Sequence, residues 1–516
     1  MNLRSTTVPA ALLASIAFSS GPAMAGELAC ENLAMLDLPN TTITSAEVVP
    51  ASPTLRAYCK VVAVVAPQIT IETWLPIEGW NGKFLAVGNG GYTGSISAGA
   101  LAAGVARGYA AASTDTGHSS PPFGGDQSWM LDRGLVIDWG YRSVKEMAKK
   151  GKAITRAFYS RKEQYSYFNG CSTGGRQALI AAQRFPEEFA GIIAGAPANF
   201  QTHQTTGHTW RMQALEGEGY IPTSKLPLIA DAVNAACDAL DGIQDGVLDD
   251  PRQCKFDPTV LRCMGADAPN CLTASQVDAL NKIYSGARNP RTGKQVFPGT
   301  PPGGEVGPGG WQAFLTGTGP RTGVAWFLQQ DFFSKMVFAN PAWDFRTFDF
   351  DSDVAFTDNK LAEVLNATDP DLRGLKRRGK LILYHGWSDP GISPLNTVNY
   401  YESVVSFFGG RKSHHGRKHD KGLEKTKEFA RLFLAPGMQH CSGGPGPNTF
   451  DMLPALEGWV ERGIAPDRII ASHMTNGVTD RTRPLCPYPE VARYTGQGST
   501  DEAVNFVCKR IDHDRR

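Results

Sequence analysis

Alternating apolar and polar positions in Gln68-Ile69-Thr70-Ile71-Glu72-Thr73-Trp74-Leu75 predict a half-exposed strand early in the chain. Lys83-Phe84-Leu85-Ala86-Val87 predicts a second, running into Gly88-Asn89-Gly90-Gly91. Between Trp139 and Tyr159 the period lengthens: Val144, Met147, Ala148, Ile154 and Phe158 recur at helical spacing. A short strand from Tyr165 to Asn169 follows, then Gly170-Cys171-Ser172-Thr173-Gly174, then a helical run rich in Ala, Gln and Leu from Gly175 to Arg184. Past Pro197 this alternation of strand and helix breaks. Asp-Gly turns, four cysteines and a Pro/Gly-rich stretch from Pro298 to Gly310 replace it, so the middle third reads as an inserted cap. Alternation resumes with the apolar strand Lys380-Leu381-Ile382-Leu383-Tyr384, which leads to Gly386-Trp387-Ser388-Asp389. A last strand, Arg431-Leu432-Phe433-Leu434, precedes Pro436-Gly437-Met438-Gln439-His440-Cys441.

Composition narrows the picture in two ways. A chain of 516 residues that is 41% hydrophobic can bury a large core with a second domain or a substantial insertion. With 51 Lys plus Arg against 50 Asp plus Glu, no global field favours nucleic acid or an anionic membrane surface. The first 25 residues carry a basic start at Arg4, an apolar stretch from Val8 to Phe18 and Ala23-Met24-Ala25, the pattern of a cleaved secretory signal. That stretch falls short of the ~20 residues needed to span a bilayer, so the mature chain is expected outside the cytoplasm, secreted or periplasmic. Ten cysteines in an exported chain read as disulfides. Local proximity suggests Cys30 with Cys59, Cys237 with Cys254, Cys263 with Cys271 and Cys486 with Cys508, a connectivity that spacing alone does not fix. The basic run from Arg411 to Lys427, with His414, His415 and His419, reads as a solvated surface insertion, because its lysines oppose cation binding.

The chemistry concentrates on two cysteine-flanked residues. Gly170-Cys171-Ser172-Thr173-Gly174 between a strand and a helix has the form of a nucleophile elbow, and His440 is followed at once by Cys441. A bond between Cys171 and Cys441, with its Cα atoms ~5.5 Å apart, would hold a candidate nucleophile beside a candidate base. Serine needs such a base, and the base needs a carboxylate to orient it; Asp389, just past a strand end, fills that role. The order Ser172, Asp389, His440 is that of the α/β-hydrolase arrangement. An oxyanion formed on attack would be met by the backbone N–H of Thr173 and by one from Gly90 or Gly91. In the cap, Asp238, Asp241 and Asp245, with the carbonyls of Ile243 and Val247, form a candidate Ca²⁺ site, although Asp-Gly pairs also make plain turns. The aromatic stretch from Trp326 to Phe350 reads as core or as pocket wall. Trp326, Phe332, Phe333 and Lys335 are the candidates for contact with substrate.

Taken together, Gly-Cys171-Ser172-Thr-Gly-Gly, His385-Gly-Trp-Ser-Asp389 and Pro-Gly-Met-Gln-His440-Cys441-Ser-Gly-Gly-Pro resemble the tannase and feruloyl esterase family, which also includes mono(2-hydroxyethyl) terephthalate hydrolase. The resemblance implies an α/β-hydrolase core, a large lid between nucleophile and acid, five disulfides and a structural calcium in the lid held by the Asp238–Val247 motif. It implies a signal peptide over 1–25, a catalytic domain from 26–199 and 368–516, and a lid over 200–367. The implied activity is hydrolysis of a small aromatic ester through an acyl-enzyme on Ser172, with the lid recognising the acyl ring. The arginine that the terephthalate enzyme uses for a free carboxylate has no match here, and Lys335 is a different donor. Phenolic esters, feruloyl or galloyl, are therefore expected ahead of terephthalate monoesters. The reading from another class is a binding protein on a hydrolase scaffold that no longer turns over.

Overall fold

The computed structural model describes residues 29–410 and 415–510, with side chains outside 415–418; the signal peptide expected over 1–25 lies outside the described residues. Its centre is a nine-stranded sheet built from β1 (Thr41–Val49), β2 (Tyr58–Val65), β3 (Ile69–Pro76), β4 (Lys83–Val87), β5 (Ala110–Thr114), β6 (Tyr165–Cys171), β7 (Gly191–Gly195), β8 (Lys380–Gly386) and β9 (Ala430–Ala435). Their order across the sheet is β1-β2-β3-β5-β4-β6-β7-β8-β9. The first three strands form an antiparallel meander and β3 meets β5 antiparallel. From β5 onward every pair is parallel.

The parallel strands are buried along most of their length because both faces are covered. Successive side chains go to opposite sides. Phe168, Ile192, Leu381 and Leu383 join one buried cluster, while their neighbours Tyr167, Ile193 and Ile382 join another across the sheet. Helix α1 (Ser143–Tyr159) buries Val144, Met147, Ala148, Ile154 and Phe158 in the first of these clusters. A π turn, Asp138–Arg142, leads into it. Helix α2 (Thr173–Arg184) follows β6 directly. This is the α/β-hydrolase layering, with strand order reversing beside β4, so that the loops after β6, β8 and β9 emerge at the carboxyl edge, where open α/β sheets place their sites.

The chain between β7 and β8 adds no strand to that sheet. It begins with α3 (Gln201–Ala214) and includes α4 (Val324–Asp331). One of its cores gathers Ile221, Val233, Leu280 and Trp311. A second packs Phe332, Phe333 and Phe348 against Trp129 and Trp139, which precede α1, so this insertion is seated on the sheet domain through aromatic contacts. The basic run is more than a solvated elaboration: helix α5 (Pro394–Gly409) is contacted by a helix over His415–Lys427, whose Leu423 is buried and whose His419 pairs with Glu402 at 2.7 Å. Arg411 to His414 lie outside the described residues. No helix among the described residues is long and apolar enough to cross a membrane.

Candidate active site

Ser172 sits between β6 and α2 with φ 65° and ψ −123°, a conformation costly for any residue bearing a Cβ. The surroundings hold it there. Its N–H donates to Gly195 O at 3.0 Å, and its carbonyl accepts from Arg176 N at 3.0 Å. The turn is this tight because the flanking residues have no side chains: a Cβ on Gly170 would lie 2.5 Å from the Gly174 carbonyl oxygen. Gly170→Ala is therefore expected to destabilise the fold by about 1–3 kcal/mol, read as a lowered urea midpoint with an unchanged slope. Helix α2 directs its positive end at the serine.

Asp389 follows β8 and His440 follows β9. His440 Nε2 is 2.9 Å from Ser172 Oγ, and its Nδ1 is 2.7 Å from Asp389 Oδ2. The fully buried carboxylate of Asp389 also meets His385 Nε2 at 3.0 Å and accepts the N–H groups of Gly391 and Ile392 at 2.8 and 2.9 Å. Burial pushes the Asp389 carboxyl up, but the charge of His440 and the hydrogen bonds from His385 and His440 outweigh it and hold the group well below the usual carboxylate range. The acid is thus ionised and aimed at the imidazole. A disulfide joins Cys171 to Cys441 with a Cα–Cα distance of 6.0 Å, tying the strand that leads to Ser172 to the loop that carries His440. Gln439 anchors the same loop to the insertion, donating to Val306 O at 2.6 Å and accepting from Gly309 N at 3.0 Å. The ring of Phe314 stands edge-on to His440, 5.3 Å between centroids. The remaining bridges join Cys30 to Cys59, Cys237 to Cys254, Cys263 to Cys271 and Cys486 to Cys508.

Ser172 and His440 open onto a cavity of about 320 Å³. Gly90, Gly91 and Thr173 border it beside the serine, and the Thr173 hydroxyl donates to Gly91 O at 2.8 Å, locking the elbow to the glycine loop. Asn89 stiffens that loop from behind: its amide nitrogen donates to Ser95 O and Thr114 O, both at 2.9 Å, and its side-chain oxygen accepts from Gln177. Much of the wall is apolar, including Phe123, Phe314, Val324, Leu328 and Ile392. Neither a Lys nor an Arg is among its described lining residues.

The four expected substrate contacts lie elsewhere. Phe332 and Phe333 are fully buried against each other and their neighbours, and Lys335 pairs with Asp331 at 2.6 Å. Trp326 packs edge-on against Phe345 and under Arg321. The reason is helical register: on α4 it is Val324 and Leu328, four residues apart, that face the cavity, and Trp326 between them points away.

The calcium expectation over Asp238–Val247 is corrected as well. Among the described residues, no group of three or more His, Cys, Asp or Glu side chains could hold a metal ion. The carboxylates are turned to other partners. Asp238 accepts the N–H groups of Asp245 and Gly246, and Asp241 accepts those of Ile243 and Asp249. Asp245 is paired with Arg481 at 3.3 Å and Arg483 at 2.8 Å, while Ile243 and Val247 are buried apolar residues. The motif is a turn framework stapled by Cys237–Cys254, with Asp245 paired to arginines of a C-terminal hairpin formed by Ile469–Thr475 and Val478–Leu485.

Comparison with known proteins places this geometry among relatives. Residues 52–509 match the family model described as tannase and feruloyl esterase. An uncharacterized esterase of Xanthomonas campestris pv. campestris is 42% identical, over 93% of this chain and 91% of that one. The mono(2-hydroxyethyl) terephthalate hydrolase of Piscinibacter sakaiensis is 34% identical over 88% of this chain and 85% of its own. Among solved structures, feruloyl esterase B from Aspergillus oryzae superposes with a TM-score of 0.83 at 27% identity, covering 93% of this chain and 99% of that one.

Proposed function

Since the chain belongs to the tannase and feruloyl esterase family and is a carboxylic ester hydrolase, we propose that it cleaves esters of phenolic acids through an acyl-enzyme on Ser172. The observation that carries this reading is the unbroken relay from Asp389 through His440 to Ser172 Oγ, opening on a largely apolar cavity. Ser172 Oγ attacks the ester carbonyl while its proton passes to His440 Nε2. The oxyanion that forms is met by the N–H of Thr173 and by one from Gly90 or Gly91. The intermediate collapses as His440 returns the proton to the leaving alcohol. Water, deprotonated by the same imidazole, then releases the acid. Asp389 stays ionised throughout and fixes the tautomer of His440. The signal-like first 25 residues support export of the working enzyme.

The uncharged lining supports neutral substrates over the terephthalate monoester named for one relative, because burying an unpaired carboxylate is costly. Initial rates on methyl ferulate, methyl gallate and mono(2-hydroxyethyl) terephthalate are expected to give kcat/KM at least about tenfold higher for a phenolic ester. A preference for the terephthalate monoester would reverse that assignment.

A further inference from the structure

The lid side of the cavity carries a polar stripe that hydrolysis does not use. Gln201, Gln204, Thr205 and His208 fall at i, i+3, i+4 and i+7 on α3 and border the cavity together. Gln201 and Thr205 bond to each other: the Gln201 side-chain amide donates to the Thr205 hydroxyl at 3.1 Å, and that hydroxyl donates to the backbone carbonyl of Gln201 at 2.9 Å. Gln204 and His208 do not. Each is more than nine-tenths buried, and neither Gln204 Oε1 nor His208 Nε2 has a hydrogen-bond partner among the described residues. Unpaired buried polar atoms are rare enough to need a reason.

The protonation of His208 follows from what stands behind it. Arg211 has only donors. Its guanidinium is clamped by the carbonyls of Pro390 at 2.6 Å and Gly391 at 3.1 Å and by the Thr300 hydroxyl at 3.0 Å, and it donates to His208 Nδ1 at 2.5 Å. With Nδ1 accepting, the proton of the neutral ring is on Nε2, the buried and unpartnered nitrogen of a residue that borders the cavity. Burial, with the charge of Arg211 added, pushes the His208 pKa well below its ordinary value and keeps the ring neutral. Two residues of the cavity wall, four apart on the same helix face, thus hold one unpaired N–H donor and one unpaired carbonyl acceptor.

We infer that Gln204 and His208 form a subsite for a hydroxyl group of the substrate, which accepts from His208 Nε2–H and donates to Gln204 Oε1. A hydroxyl is both donor and acceptor and matches this pair; a carboxylate would lack a counter-charge and a methoxy group would lack the proton. Arg211 is a positioning residue, fixing the tautomer of His208 from the same helix while the carbonyls of Pro390 and Gly391, on the loop that carries Asp389, hold its guanidinium. This rests on the esterase reading above and deepens it, since the hydroxyl can be carried by the acyl ring or by the alcohol.

The test compares methyl cinnamate, methyl 3- and 4-hydroxycinnamate, and 2-hydroxyethyl cinnamate, with wild type, Gln204→Leu and His208→Phe. Wild type is expected to favour at least one hydroxylated ester over methyl cinnamate by roughly tenfold or more in kcat/KM. A gain on the ring-hydroxylated esters assigns the subsite to the acyl group, and a gain on the hydroxyethyl ester assigns it to the alcohol. Each substitution should collapse that ratio towards one. Binding of the same esters to Ser172→Ala by calorimetry reads the preference without turnover, and Gln204→Leu in that background serves if His208→Phe does not fold. Equal binding of hydroxylated and plain esters, or a ratio unmoved by Gln204→Leu, would overturn the subsite. Absence of turnover on all four esters with a binding preference retained would instead strike the proposed hydrolysis and leave the subsite standing.

Discussion

Ser172→Ala is expected to lower kcat on every aromatic ester by about 10⁴ to 10⁶-fold while leaving the urea midpoint of unfolding near that of wild type. The size of the loss follows from the arrangement: without Oγ, the imidazole of His440 has no nucleophile to deprotonate at 2.9 Å, and only binding and the N–H groups of the elbow and the glycine loop remain to assist water. The fold should survive because Ser172 is held by its backbone, through Gly195 O and Arg176 N, and alanine retains a Cβ in the same strained position. A comparable rate in wild type and variant would mean that another group attacks the ester.

Removing the bridge between Cys171 and Cys441 is the other large perturbation. The bond closes a loop across a sequence separation of 270 residues. On the chain-entropy account, the double substitution Cys171→Ala/Cys441→Ala should cost about 5 kcal/mol of stability. Activity should fall further than the folded fraction does. Ser172 and His440 are each adjacent in sequence to one of the bridged cysteines and come from strands that are not neighbours, β6 and β9, so the bond sets their separation directly. A misplacement of ~1 Å in a reacting pair is enough for about a hundredfold loss. Unfolding midpoints together with active-site-titrated kcat for the double variant would measure both effects. An unchanged midpoint and an unchanged kcat would show that packing alone, with Gln439 holding the histidine loop, suffices.

What the chain discloses on its own divides along a physical line. The residues now found together, Ser172, Asp389 and His440, each follow a strand directly, and each carries a short local pattern of glycines and a polar residue. Local patterns of that kind survive in one dimension. β8 is equally plain, since a strand covered on both faces reads as an unbroken apolar run. β5 is not: Ala110-Ala111-Ala112-Ser113-Thr114 is wholly buried, yet alanine favours helices and packs a strand only because helices press close on both sides. β1 is hidden for the opposite reason, as an edge strand with no fully buried position.

In the insertion, residue type was a poor guide and facing was decisive. The dense aromatics Phe332 and Phe333, readable as core or as pocket wall, make the core that seats the insertion, and the aspartates of 238–245 signal an ion but cap amides or, at Asp245, pair with arginines more than two hundred residues away. Those arginine partners are invisible until the C-terminal hairpin is folded back. The cavity wall on α3 is not legible in the same way: almost every position from Gln201 to Gln213 is polar, so no spacing singles out the face of 201, 204, 205 and 208 that borders the cavity. Phe314, which borders the cavity against His440, was missed because it lies outside the aromatic run and is placed by a π-helical turn, Gln312–Thr316.

The most direct measurement of whether Ser172 is the activated nucleophile is covalent capture. Wild-type protein treated with a fluorophosphonate and digested is predicted to carry one stoichiometric adduct, on Ser172, with loss of esterase activity in step with labelling and with the rate of labelling strongly reduced in His440→Ala. An unlabelled Ser172 in protein that still hydrolyses esters, or an adduct on another residue that accounts for the lost activity, would contradict it.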